Sequence, residues 1–188
     1  MGKIFWCDCE TTGVDPRKNS VIQIAGLVEI DGEVVEEINL LCKPLPGKVI
    51  AQQALDVNKR TAEEICQFPH PMIAVSELRK IWGKYVNKYE KSDKFTMAGF
   101  RVDFDFDFVR QLFMDCKDKF FGSWFINCTL DVRAFMALAA SKHNICLENY
   151  KLVTCCEHFE IPLGQDAHDA MPDIKATRQL FKELEVLV

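Results

Sequence analysis

Asp8 and Glu10 stand two residues apart in KIFWCDCETTG, a run whose apolar and β-prone residues lead into a turn at Thr11, Thr12 and Gly13. Alternate side chains of a strand leave the same face, so both carboxylates share one side, with Cα atoms about 6.5–7 Å apart. Cys7 and Cys9 then point the other way, into packing. Two carboxylates on one face of a core strand repel each other and lose hydration, and cations are the usual compensation. Oxygen donors alone select hard ions, magnesium or manganese. The alternative is that the strand end simply protrudes into solvent, and this pair by itself does not separate the two.

A second acidic stretch, AGFRVDFDFDFVRQLF at 98–113, alternates Asp103, Asp105 and Asp107 with phenylalanines. As a strand it would present three acids on one face and Phe104, Phe106 and Phe108 on the other. As a helix start it would use Asp103 as N-cap, with Phe104, Phe108, Val109, Leu112 and Phe113 recurring at the spacing of a core-facing stripe. The third stretch, HDAMPD at 168–173, contains Pro172. Proline lacks an N–H, so a helix there must begin within about three residues before it. That places His168 on a loop ahead of a cap near Asp169, and Asp173 in the first turn.

The elements that would hold these residues follow from periodicity. After the first strand, SVIQIAGLVEIDGEVVEEINLLCKP reads as a hairpin about Asp31-Gly32. Thr61 with Glu64 resembles a capping box, and SELRKIWGKYVNKY carries Leu78, Ile81, Trp82 and Tyr85 on one helical face. FTMAGF and FINCTLDV read as strands, VRAFMALAA as a helix, and ENYKLVTCCEHF as a helix with Leu152, Cys155, Cys156 and Phe159 inward. The last helix, from Ala170 to about Leu187, repeats Ile174, Thr177, Leu180, Phe181 and Leu184. Strands joined by a hairpin and then alternating with helices make an α/β domain with a mixed β-sheet.

At 188 residues the chain reads as a single domain, 1–188, able to bury about 70% of the surface its unfolded form exposes. Nine cysteines without paired spacing, behind an acidic start that does not read as a secretory segment, place it in a reducing cytoplasm. No apolar run reaches the length of a membrane span. Neither Cys7/Cys9 nor Cys155, Cys156 and His158 has zinc-site spacing, so buried thiols are the expectation. The net charge of −5 argues against broad binding to polyanions, although metal can neutralise an acidic nuclease site.

Taken in order, DCETTG at 8–13, FDFDF at 104–108 and HDAMPD at 168–173 resemble the three motifs of the DnaQ-like, or DEDDh, 3′–5′ exonucleases, and the resemblance extends over the whole chain. It implies a ribonuclease H-like sheet, two divalent ions, Mg2+ or Mn2+, and water attacking the 3′-terminal phosphodiester. Asp8, Glu10, Asp105 and Asp173 take the metal-ligand positions and His168 that of the general base. Thr11 and Thr12 fall where the family holds the terminal nucleotide. The resemblance settles the Asp105 stretch as a helix start, with Asp103 its cap and Asp107 a solvated first-turn acid near Arg110 or Gln111. His70, His143 and His158 read as surface or packing residues.

One departure stands out. Where the family has His-Asn, this chain has Phe100 and Arg101, and the Arg101 guanidinium could hold a phosphate or pair with Asp103. The implied substrate is a single-stranded nucleic acid 3′ end, DNA ahead of RNA. A non-catalytic nucleic-acid-binding module is the rival class, but all five matching positions are filled. A polymerase partner fits such an activity, yet the sequence shows no tail to tether one.

Overall fold

The computed structural model describes residues 2–164 and 169–188. Strand β1 (Lys3–Thr11) is followed by the hairpin β2 (Val21–Ile30) and β3 (Glu33–Leu41). Asp31 and Gly32 at its tip have φ of 51° and 88°. Positive φ at both central residues matches the twist of a two-residue hairpin turn, and the Asp31 carboxylate also accepts the Gly2 N–H at 2.9 Å. With β4 (Phe95–Gly99) and β5 (Phe125–Asp131), the sheet runs β3-β2-β1-β4-β5. The β1–β2 and β2–β3 pairs are antiparallel, and β1–β4 and β4–β5 are parallel. This is the mixed α/β sheet expected from the sequence.

Alternation along β1 divides the core in two. Phe5, Cys7 and Cys9 face α3 (Pro71–Tyr85) and α4 (Val102–Asp115), whereas Trp6 faces α5 (Val132–His143), α6 (Leu152–His158) and α7 (Ala170–Glu185). On the first side Trp82 stacks on Phe113 at 5.5 Å and meets Phe5 and Phe125 edge-on at 5.2 and 5.0 Å. Such pairs add about 0.5–1.5 kcal/mol each beyond their buried area. Burial here is complete enough to leave the Trp82 indole N–H without an acceptor among the described residues.

Two short helices complete the fold, α1 (Gln52–Asn58) and α2 (Ala62–Cys66), the second capped by Thr61, whose hydroxyl accepts the Glu64 N–H. The long helices follow the sequence reading, with Leu78 and Trp82 inward on α3 and Ile174, Thr177, Leu180, Phe181 and Leu184 inward on α7. His70 caps α3 through its ring nitrogen, and the other described histidines lie away from the acids, on the Leu187 carbonyl (His143) and against Phe159 (His158). Among the described residues no helix is long and apolar enough to cross a membrane.

Candidate active site

Strand β1 outruns its neighbour. It pairs with β4 only from Ile4 to Trp6, because β4 ends at Gly99. A Cβ at Gly99 would lie 2.6 Å from the Cys7 carbonyl oxygen, so only glycine lets the chain leave this close to β1. The chain then turns at Arg101, with φ 62° and ψ 44°, and enters α4. The Cys9 N–H at the overrunning edge donates instead to the Asp105 carboxylate at 2.9 Å. That bond locks the register of α4 and holds Asp105, which is only 3% exposed, against the end of β1.

The alternating aspartates are therefore a helix start, but with a different cap from the one expected. Arg101 occupies the N-cap position, without a side-chain cap bond, and α4 begins at Val102. Asp103 lies inside the first turn, exposed, and accepts the Thr129 hydroxyl at 3.0 Å. The cap moves because the Arg101 N–H is taken by Asp131 at 3.0 Å, which pins that residue in the left-handed conformation. Asp107 is exposed, and Gln111 pairs with Asp115 at 2.8 Å rather than with it.

Asp8 and Glu10 share the face of Trp6, toward α7. Asp169 caps that helix by accepting the Met171 N–H at 3.3 Å, and Asp173 lies in its first turn, as the proline rule required. The buried Gln23 side chain donates to the Asp169 carboxylate at 2.8 Å and to Asn39 at 2.9 Å. Since Gln23 is the β2 partner of Glu10, this bond ties the start of α7 to the sheet beside the acids. His168 lies outside the described residues.

The acids feel one another. Burial pushes the Asp8 carboxyl well above the usual carboxylate range, and the charges of Asp105, Glu10, Asp173 and Asp169 push it further. Burial, then Asp173 and Asp169, lift Glu10 to about 7, against a smaller opposing effect of Arg60. Asp105 is also raised by burial, in spite of the Cys9 N–H that favours its charged form. Among the described residues no three acidic, His or Cys side chains form a ready-made metal cage. The donor set is nevertheless oxygen only, and its strained ionisation is what a hard divalent cation would relieve.

Past β1 the chain folds into a tightly held loop. Thr11 donates from its hydroxyl to the Gly13 carbonyl at 2.6 Å, and its own carbonyl accepts from the buried Asn58 side chain at 2.9 Å. Thr12 is fully buried, its hydroxyl donating to the Val49 carbonyl at 2.8 Å and accepting the Ser20 N–H at 2.9 Å. Asn19 donates to the carbonyls of Thr12 and Val49. A Cβ at Gly13 would lie 2.4 Å from Asn19. Thr12 thus fixes the shape of the loop, and Thr11 is the member nearer the acids. Gln23, Asn19 and Asn58, which brace these groups, escaped the sequence reading because isolated amides carry no spacing signal. Arg60 and Asp169 escaped it as charges that act on Glu10 only through the fold.

The family model described as Exonuclease matches residues 5–181, and the chain belongs to that family. The family is that of the DnaQ-like 3′–5′ exonucleases, and the mixed five-stranded sheet flanked by helices is its ribonuclease H-like fold. A comparison with curated proteins found no match. Among solved structures, Escherichia coli exonuclease I in complex with a dT13 oligonucleotide is similar at TM-score 0.81 and 18% identity, over 100% of this chain and 42% of that one. Exonuclease I from Methylocaldum szegediense gives 0.78 and 19%, over 97% and 41%. The zinc-bound E. coli exonuclease I complex with single-stranded DNA gives 0.77 and 19%, over 99% and 41%. At these identities the likeness is one of fold, and this chain spans about two-fifths of each relative's length.

Proposed function

We propose that residues 1–188 act as one cytoplasmic exonuclease unit that removes nucleoside monophosphates stepwise from the 3′ ends of single-stranded DNA. The observation that carries the reading is the gathering of Asp8, Glu10 and Asp105 at the open end of β1, beside Asp173, each raised by burial and by neighbouring acids, in a chain of the exonuclease family. Carboxylates held this way resist ionisation on their own, and a hard cation that they can ligate relieves that resistance. Two divalent cations, Mg2+ or Mn2+, when bound there would stabilise the charge that develops on the attacking water and on the leaving 3′-oxygen.

The chain's own groups do the rest. Asp8, Glu10 and Asp173 would hold the ion that activates the water, and Asp105 with Asp8 would hold the ion that steadies the leaving oxygen. His168 accepts the proton of that water, a task suited to a neutral imidazole. The loop of Thr11 and Thr12 seats the terminal nucleotide, and Arg101 is a substrate contact on the phosphate backbone of the strand. The oligonucleotide in the exonuclease I complexes supports a DNA single strand as the substrate.

A 5′-labelled oligonucleotide tests this directly. With magnesium or manganese the products should shorten stepwise into a ladder, chelator should stop the reaction, and a closed circle should survive. Release of a labelled mononucleotide from the 5′ end, or cutting of the circle, contradicts the reading. Parallel single- and double-stranded DNA and RNA substrates fix the preference, and faster digestion of RNA would overturn the assignment to DNA.

A further inference from the structure

Between the starts of α4 and α5 lies a cleft of about 380 Å3 lined by Arg101, Asp103, Phe104, Asp131, Arg133 and alanines of α5. We propose that it is a second nucleotide subsite, in which Arg101 and Arg133 together hold a phosphate of the strand upstream of the scissile bond. The proposal rests on the exonuclease reading above and adds Arg133, a residue no motif singled out.

Three observations carry it. First, one carboxylate fixes both arginines: Asp131 Oδ1 accepts the Arg101 N–H and the Arg133 N–H, each at 3.0 Å. It caps α5 and pins the start of α4 with the same atom, so the two side chains spring from a common anchor. Second, both acids in the cleft are engaged elsewhere, Asp131 on these amides and Asp103 on Thr129. Both guanidinium groups are exposed, and among the described residues neither forms an ion pair, so their planar forks are open to an anion. Third, Arg101 holds φ 62°, a conformation that Asn or Gly adopts more cheaply. A long cationic side chain there gains nothing in folding that a smaller residue would lack.

The position suits the substrate. Arg101, the N-cap residue, precedes Asp105 by four residues, so it stands about one turn before that acid at the start of α4. Phe104, half-buried, forms the apolar wall against which a base can stack. The cleft would therefore recognise the repeating phosphate and ring of a single strand rather than its sequence.

The test separates the subsite from the catalytic centre. Arg101→Gln, Arg133→Gln and the double variant are assayed on a short oligothymidylate and on the p-nitrophenyl ester of thymidine 5′-monophosphate, which has one phosphodiester and nothing upstream. The double variant should lose at least tenfold more kcat/KM on the oligonucleotide than on the ester, mainly through KM. Equal losses on both substrates, or no loss on the oligonucleotide, would overturn the subsite. Binding of the fluorescent oligonucleotide in calcium buffer reads the cleft even if the wild type hydrolyses neither substrate, an outcome that would refute the exonuclease reading alone. There the salt slope should fall by about 0.7 for each arginine removed, and an unchanged slope would refute the phosphate contact.

Discussion

The two ends of β1 are built on opposite terms. Phe5, Trp6 and Cys7 are buried on both faces of the sheet, among rings at 5–6 Å and helices packed from either side. Three residues on, Asp8 and Glu10 are held beside Asp105 and Asp173, where burial and like charge both oppose ionisation. The first end stabilises the fold without help, and the second is comfortable only with cations beside it. Stability and chemistry are thus segregated along nine residues of a single strand. Changes at one end should therefore move different observables from changes at the other.

The sharpest contrast comes from removing a charge. Asp8→Asn should reduce exonuclease turnover by orders of magnitude, while the metal-free protein melts higher, since a repelling carboxylate has gone. Asp105→Asn should lose activity on the same scale. A fall in both stability and activity for Asp8→Asn would erase the distinction. At the other end, Phe5→Ala should destabilise by about 3–5 kcal/mol, as an aromatic truncation in a packed core does. Its folded fraction should retain turnover, measured on the same sample as the denaturant midpoint.

The pH dependence of stability differs between the ends as well. Glu10 titrates near 7 in the folded protein and at the ordinary value of 4.5 when unfolded. The folded state thus holds the proton more tightly. Its contribution is full below the unfolded pKa and is lost as pH rises through the folded one. Metal-free protein should accordingly lose stability between about pH 4.5 and 7, and Glu10→Gln should flatten that decline in a series of thermal melts. A decline unaltered by the substitution would place the titration elsewhere.

The smallest effects belong to the neighbouring aspartates of α4. Asp107→Asn and Asp103→Ala each alter an exposed residue and should stay within about 0.5 kcal/mol in stability. Asp107→Asn should be nearly silent in turnover. An essential Asp107 would mean that α4 sits in a different register against β1.

Much of this was legible in the sequence because the residues involved obey local rules. Asp31-Gly32 demands its hairpin and Pro172 fixes the start of α7 and so the places of Asp169 and Asp173, whereas the stretch from Phe104 to Phe113 fits strand and helix alike until the order of the motifs decides for the helix. What escaped depends on partners far along the chain. Arg101 rather than Asp103 became the cap because Asp131, thirty residues later, takes the Arg101 amide. Helix α1 has Ala51 at its cap position with no side-chain bond, so nothing local announced it. Gln23, Asn19 and Asn58 resemble surface amides until the fold buries them against the loop and the start of α7. The acidic positions were picked out through motif order, and the bracing around them had no such order to follow.

The claim that one end of β1 is a cation site held at the expense of stability has a direct measurement. Wild type and Asp8→Asn should be melted at pH 8 with chelator and again with magnesium or manganese. The account predicts that the metal-free variant melts above metal-free wild type. Metal should raise the wild-type midpoint in a concentration-dependent way and leave the variant nearly unmoved. A wild-type midpoint indifferent to metal, together with a variant that melts lower, would contradict it.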